Sequence, residues 1–290
     1  MSDDIKNLPH SIRGRLHNHA KETKRPFAEV LQYYGMERFL YRLSCSKYKD
    51  NFILKGALMF AVWDIADRRT TIDIDFSAHY DNRVDRIVSV MKEICDEKVI
   101  ADGLFFSADT VKGQQIRETA DYGGVRVKLT GYLERARIPI QIDTAFGDIV
   151  YPGPELIEFP VILDLPNPQL KGYSPESAAS EKLETIIKLG SLNSRMKDFY
   201  DLWVMLRRFK FDAGRLALAI SKTFNHRNTP IPRSLPLFHE EIYDANSDRQ
   251  HLWKSFLIKE EIVNAPEELH MVAGEVEKFF IEHIKLINRK

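Results

Sequence analysis

The sequence is poor in cysteine: Cys45 and Cys95 are the two in 290 residues. Two thiols make no disulfide framework, so a reducing, cytoplasmic setting is expected. Long apolar runs are missing as well, since none approaches the roughly 18 residues of a membrane span. The opening MSDDIKNLPHSIRGRLHNHA has neither the apolar core nor the small-residue cleavage site of an export signal. A soluble protein with no membrane partner is expected. Net charge is absent too: Lys plus Arg and Asp plus Glu stand at 42 each. No overall field steers nucleic acid or membrane, and any such affinity has to come from local patches. What the chain does have is a core. A hydrophobic share of 44% is ordinary for a globular protein, and the length accommodates one large domain or two ordinary ones.

The stretch from Phe52 to Phe76 organises the rest. Thr71, Ile72, Asp73, Ile74, Asp75 and Phe76 alternate polar and apolar, the period of a half-buried strand with both acids on one face. Same-face neighbours on a strand lie roughly 7 Å apart, so one divalent cation or a pair could sit between the carboxylates. The other reading is an ordinary strand whose polar face meets water. Asp is disfavoured in strands, and two like charges on one face repel unless something positive lies between them. Upstream, Phe52, Ile53 and Leu54 read as a short buried strand, Lys55-Gly56-Ala57 as a tight turn and Leu58 to Trp63 as the start of a helix. Glycine lets the backbone approach an anion, and a helix start offers unpaired N–H groups; equally, the glycine could serve the turn alone.

Helical spacing is expected over residues 11–20 and 26–44, with Pro26 at the first helical position, and again over 84–97. Strands are expected at 104–107, 125–133 and 138–145. In the second of these Val125, Val127 and Leu129 alternate against Arg126, Lys128 and Thr130; in the third Asp143 shares a face with Gln141 and Ala145. Asp143 reads either as an edge or turn acid or as a third carboxylate completing a metal site in a mixed sheet, and Asp148 as a turn residue. Prolines at 152, 154, 160, 166, 168 and 175 mark a connector and place a boundary between a domain at 1–165 and a helical one at 166–290. Ser174-Pro175-Glu176 reads as an N-cap, a first-turn proline and a dipole-compatible acid. A second helix starts near Arg195. Lys182 and Asp198 fall at the edges of the apolar stripes of these two helices, and Asp201 nearer an outer face. Between Arg207 and Arg233, seven basic residues stand against the single acid Asp212, interleaved with Phe209, Phe211 and Phe224. That segment is either an RNA-facing surface or packing aromatics beside a solvated basic face.

Several of these features occur together, in order, in a known family. Phe39-Leu40-Tyr41-Arg42-Leu43-Ser44, then Phe52-Ile53-Leu54-Lys55-Gly56-Ala57-Leu58, then Arg69, Thr71, Asp73, Ile74 and Asp75 as R-x-T-x-D-I-D, then Glu181-Lys182-Leu183 and Arg195, Lys197, Asp198 and Asp201 together resemble the AbiEii/AbiGii toxins of type IV toxin–antitoxin and abortive-infection systems. The resemblance implies an α+β fold: a polymerase-beta-like nucleotidyltransferase core with N-terminal helices and a mostly helical C-terminal portion. It implies transfer of a nucleoside monophosphate from an NTP to an acceptor hydroxyl, on RNA such as a tRNA 3′ end, with growth arrest and phage defence as the outcome. Asp73 and Asp75, with Asp143 as a third ligand, would hold Mg²⁺ or Mn²⁺. Lys55, Gly56, Ala57, Arg69 and Thr71 would meet the nucleotide, and Lys182 and Asp198 would close its pocket from the helical side. The implied partner is an antitoxin with a winged-helix domain that need not bind the toxin directly. One departure stands out: the family's second glycine and the Ser or Thr after it are Ala57 and Leu58 here. A nucleotide-binding module of weak activity, and a transferase acting on a small molecule or a protein, are the alternatives.

Overall fold

The computed structural model describes residues 7–65, 70–119, 122–233 and 235–288. The chain forms two compact units, one of Met1–Asp64, Thr71–Gly147 and Glu155–Gly172, the other of Ile65–Thr70, Asp148–Pro154 and Tyr173–Lys290.

The first unit opens with α1 (Leu8–Thr23), where the Asn7 side chain accepts the His10 N–H and Pro9 sits in the first turn. In α2 (Phe27–Cys45) Pro26 takes the cap position, one residue before the helical position expected. Then follow β1 (Phe52–Lys55), α3 (Met59–Val62), β2 (Asp73–Ala78), α4 (Val84–Cys95), β3 (Leu104–Thr119), β4 (Tyr122–Leu133), β5 (Ala136–Phe146), β6 (Glu155–Glu158) and β7 (Gln169–Gly172). The strands make one mixed sheet in the order β3-β4-β5-β2-β1-β7-β6. The β2–β5 and β1–β7 pairs are parallel, and the rest are antiparallel. The α+β class is as expected. β7 lies beyond residue 165 and is nonetheless a strand of this sheet, paired with β1. β3 is much longer than the expected 104–107. A register shift between Ser107 and Lys112 interrupts its pairing with β4, and such an irregularity resets the alternation that would reveal one continuous strand.

The alternation sets the two faces of the sheet. Phe52, Leu54, Ile74, Phe76, Val125, Val127, Leu129, Ile138, Ile140 and Ile142 are all buried in the core. A Cβ on Gly35 of α2 would strike Ile138 and Ile140, and one on Gly113 of β3 would strike Val84 and Val88 of α4, so both helices lie against this side. Each such side chain contributes about 1.5–3 kcal/mol when fully buried. A one-residue slip of any strand would bring its polar set inward instead, and the register is strongly specified.

On α2, Glu37 and Arg38 are both wholly buried. Glu37 Oε2 accepts the Ile162 N–H at 2.8 Å, and Arg38 Nη2 donates to the Pro166 carbonyl at 3.0 Å. The pair thereby tethers the proline-rich connector. Burial pushes the Glu37 carboxyl up to about 8, against the opposing pull of Arg38 and the Ile162 N–H. Between the ordinary carboxylate value and about 8 the folded chain therefore holds a proton that the unfolded chain has lost. The stabilisation is complete below that window and lost as pH rises through it. Urea midpoints measured from pH 5 to 9 are expected to fall with pH, by up to a few kcal/mol in unfolding free energy. Glu37→Gln is expected to flatten the slope; an unchanged slope would assign it to other groups.

The second unit contains α5 (Pro175–Leu189), α6 (Met196–Arg208), α7 (Ala213–His226), α8 (Asp248–Lys259) and α9 (Leu269–Asn288). α5 starts as expected, with Ser174 accepting the Ser177 N–H and Pro175 in the first turn. Among the described residues no helix is long and apolar enough to cross a membrane.

A candidate three-carboxylate site on the sheet

Strand register builds the site. Asp75 of β2 is the partner of Lys55 on β1 and of Asp143 on β5, and Asp143 is the partner of Arg126 on β4. Directly opposed residues share a face. Arg126, Asp143, Asp75 and Lys55 thus form one row across four strands, with a cation at each end and two acids between. Asp73 stands one step along, opposite Gln141. One ligand oxygen from each of Asp73, Asp75 and Asp143 lies within 4.8 Å of the others. All three sit on the face opposite the apolar core, as the alternation expects.

Neighbouring groups orient each acid. Arg126 grips Asp143 through two parallel bonds, Nε to Oδ1 at 2.8 Å and Nη2 to Oδ2 at 2.7 Å, the geometry of the stronger charge-assisted pairs. The hydrogen bond to Asp143 leads the forces that raise the Arg126 guanidinium above its usual value; Asp143, Asp73 and Asp75 add their charge, against a cost of burial. The Thr71 hydroxyl donates to Asp73 Oδ1 at 3.0 Å, so the residue expected to meet nucleotide also holds a carboxylate in place. Arg126→Gln is expected to lower unfolding free energy by about 1.5–3 kcal/mol, the range for bonds to charged groups. Denaturant titration reads this, and an unchanged midpoint would mean the grip does not matter to the fold.

Gly56 sits at φ +72, where a Cβ would overlap Asp75 Oδ2 and stand 2.8 Å from Asp75 Cγ. The glycine is thus required by the approach of Asp75 as well as by the turn. Ala57 is buried just after it. The helix expected from Leu58 to Trp63 proves short: a 3₁₀ turn over Gly56–Leu58 and a single α turn over Met59–Val62. So brief a run builds little macrodipole, and the helix-start contribution expected there is correspondingly reduced. Lys55 is 7% exposed, on the carboxylate face by its pairing with Asp75. Arg69 lies outside the described residues.

The second unit holds the later candidates. Lys182 Nζ on α5 meets Asp198 Oδ1 at 3.3 Å and Asp201 Oδ2 at 2.6 Å, both on α6, and Arg195 Nε meets Asp198 Oδ2 at 2.8 Å. Asp201 is thereby corrected. It is 1% exposed, where an outer-face position was expected, because α6 packs against α5, α8 and α9 and buries most of its circumference. Asp148 lies just past the Gly147 bend after β5, as expected of a turn residue, and it also accepts from Arg227 at 3.1 Å and from the Tyr173 hydroxyl at 3.3 Å. Arg227 also meets Glu181 and Glu184. Burial alone would lower its guanidinium, but Glu181, Asp148 and Glu184 hold it above its ordinary value. Much of the basic 207–233 segment is engaged in this way. Arg207 pairs with Glu275 over the Trp203 ring, Arg215 pairs with Glu176, Phe224 is buried, and Phe209 packs on Phe211, which packs on Phe279. The packing alternative accounts for its aromatics.

Arg126 and Gln141 were absent from the expected site, and Arg195 and Asp201 stood in the ordered motifs without an assigned role. Arg126 carried one signal, a polar position in phase with Lys128 on an otherwise apolar strand.

Three clustered carboxylates offer hard oxygen donors, the set that suits Mg²⁺ or Mn²⁺. The two cations on the same row temper their repulsion. Such a site is suited to chemistry on phosphates. In overall structure the chain is similar to JHP933 from Helicobacter pylori (13% identity, TM-score 0.46, 90% of this chain and 97% of that one). It is also similar to a chain described as “putative nucleotidyltransferase from H. pylori” (14%, 0.44, 87% and 96%). No curated protein matches it in sequence. Residues 38–267 match the family model of the “Nucleotidyl transferase AbiEii toxin, Type IV TA system”. With the match spanning well over half of its length, the chain belongs to the AbiEii nucleotidyl transferase toxin family and is a nucleotidyltransferase.

Proposed function

We propose that the chain is a metal-dependent nucleotidyltransferase that moves a nucleoside monophosphate from an NTP to a hydroxyl at the 3′ end of an RNA such as tRNA. The observation that carries this reading is the convergence of Asp73, Asp75 and Asp143 within 4.8 Å. These carboxylates would hold Mg²⁺ or Mn²⁺, which when bound supplies neutralisation of phosphate charge and polarisation of the phosphoryl oxygens. Thr71 and Arg126 hold Asp73 and Asp143 at fixed angles, so little reorganisation is left for the reaction itself. Lys55 places a cation at the end of the carboxylate row, beside the Gly56 turn. Lys182, held by Asp198 and Asp201, is assigned to phosphate charge, with Asp198 as its orienting partner; Ala57 and Arg69 are assigned to the nucleotide. In the transfer, a bond forms between the acceptor oxygen and the α-phosphorus as the bond to pyrophosphate breaks, and the hydroxyl proton passes to solvent.

The family implies an antitoxin partner; a winged-helix protein that need not bind the toxin directly is the form proposed, with growth arrest or abortive infection in the cytoplasm as the output. A second reading, a binding module without turnover, draws on the missing hydroxyl at Ala57-Leu58 and on the short helix after Gly56. Calorimetry with Mg²⁺ and each of the four NTPs tests the site. Binding by the wild type that is lost in Asp73→Asn supports it, and equal binding by both overturns it. Binding without transfer selects the module.

A further inference from the structure

The face of the sheet that carries the carboxylates continues away from them across β3, β4 and β5. Moving along β4 from Arg126, the same-face positions are Lys128, Thr130 and Tyr132, a run of about 20 Å. Their partners on β3 include Lys112, opposite Lys128, and Phe105, opposite Tyr132; on β5, Arg137 also stands opposite Tyr132. α2 and α4 lie against the other side of these strands. Lys112, Lys128 and Arg137 are exposed, and none has a carboxylate in ion-pair reach among the described residues. Phe105 is 63% exposed, the one exposed aromatic among the described side chains. It stacks on Tyr132 with ring centroids 6.3 Å apart and planes 29° apart.

Single exposed apolar residues are ordinary. This one belongs to a two-ring platform on an open strand face, with cations along the path from it to the carboxylates. Unpaired bases stack on aromatic rings, and phosphates follow a basic track. The basic 207–233 segment is the poorer candidate, since Phe224 is buried, Phe209 and Phe211 are half-buried in ring contacts, and Arg207, Arg215 and Arg227 are held by acids. We propose that the β3–β4–β5 face binds the single-stranded end of the RNA acceptor, with Phe105 and Tyr132 stacking bases and Lys112, Lys128 and Arg137 taking phosphates, so that the terminal hydroxyl lies toward Asp143 and Asp75. The proposal rests on the transfer reading of the carboxylate site.

The test is fluorescence anisotropy with a labelled single-stranded RNA bearing a free 3′ hydroxyl, on wild type, Phe105→Ala and Lys112→Glu/Lys128→Glu. Both variants change exposed side chains, and Mg²⁺–NTP calorimetry on Phe105→Ala, with circular dichroism on both, confirms that the fold is kept. Each variant is expected to bind RNA at least about tenfold more weakly. The double variant is also expected to show a shallower dependence of affinity on salt, by about one phosphate per lysine. RNA affinity equal to wild type in both variants overturns the proposal, and if RNA is still labelled the transfer reading stands without it. A wild type that binds no RNA overturns the proposal as well; label then arriving on a protein or small molecule places the fault in the choice of acceptor, whereas no label on any acceptor places it in the transfer reading itself.

Discussion

Asp75→Asn is expected to reduce nucleotidyl transfer by at least about a thousandfold while leaving the fold about as stable as before. Asp75 stands mid-row, opposite Lys55 on one side and Asp143 on the other, so any cation shared by the cluster has it as a neighbour. Asparagine keeps the shape and removes the charge, and losing a single preorganised electrostatic contact of this sort costs about 10²–10³ in turnover. Loss of a metal ligand goes further. Stability is expected to change little, because relief of the repulsion from Asp73 and Asp143 offsets the loss of the charge opposite Lys55. Paired kinetic and urea measurements check both halves. An active Asp75→Asn, or one that is inactive because it is unfolded, would contradict this account of the residue.

Gly56→Ala is expected to be the most damaging one-carbon change near the site. At φ +72 an L side chain is strained, by about 1 kcal/mol relative to glycine, and the added Cβ would overlap Asp75 Oδ2 with Asp75 Cγ only 2.8 Å away. Overpacking of this kind costs roughly 1–3 kcal/mol more. The carboxylate can relieve it only by leaving the row. Activity is therefore expected to fall nearly as far as in Asp75→Asn, with stability lowered by about 2–4 kcal/mol. Thermal unfolding and transfer assays on the same preparation separate the two losses. Full activity would show that the turn accommodates the methyl without moving Asp75.

The two acids of β2 were legible because period-two alternation sorts side chains onto faces without knowledge of any partner. Pairing is a different matter. Arg126 meets Asp143 because β4 and β5 are joined at Glu134-Arg135, with Leu133 opposite Ala136. That two-residue turn sets every partner along the hairpin, yet Glu134 takes a positive φ of 52 without the glycine or asparagine that normally advertises such a turn. The grip on Asp143 could be read only once the register was known. Asp201 was misplaced for a related reason. A helix wheel assumes one buried face, and α6 packs against three other helices. The basic segment shows the limit of composition: its acidic partners Asp148, Glu176, Glu181, Glu184 and Glu275 lie outside it in sequence. By contrast, the Ser174 cap was read correctly, because a cap depends on residues within one turn.

The most direct measurement compares NTPs labelled at the α- and γ-phosphates, incubated with the protein, Mg²⁺ and total tRNA, alongside Asp75→Asn. The predicted result is α-label joined to RNA and no γ-label, abolished by chelation of the metal and by the substitution. Transfer of γ-label, or α-label transfer that persists in Asp75→Asn, would contradict the three-carboxylate account.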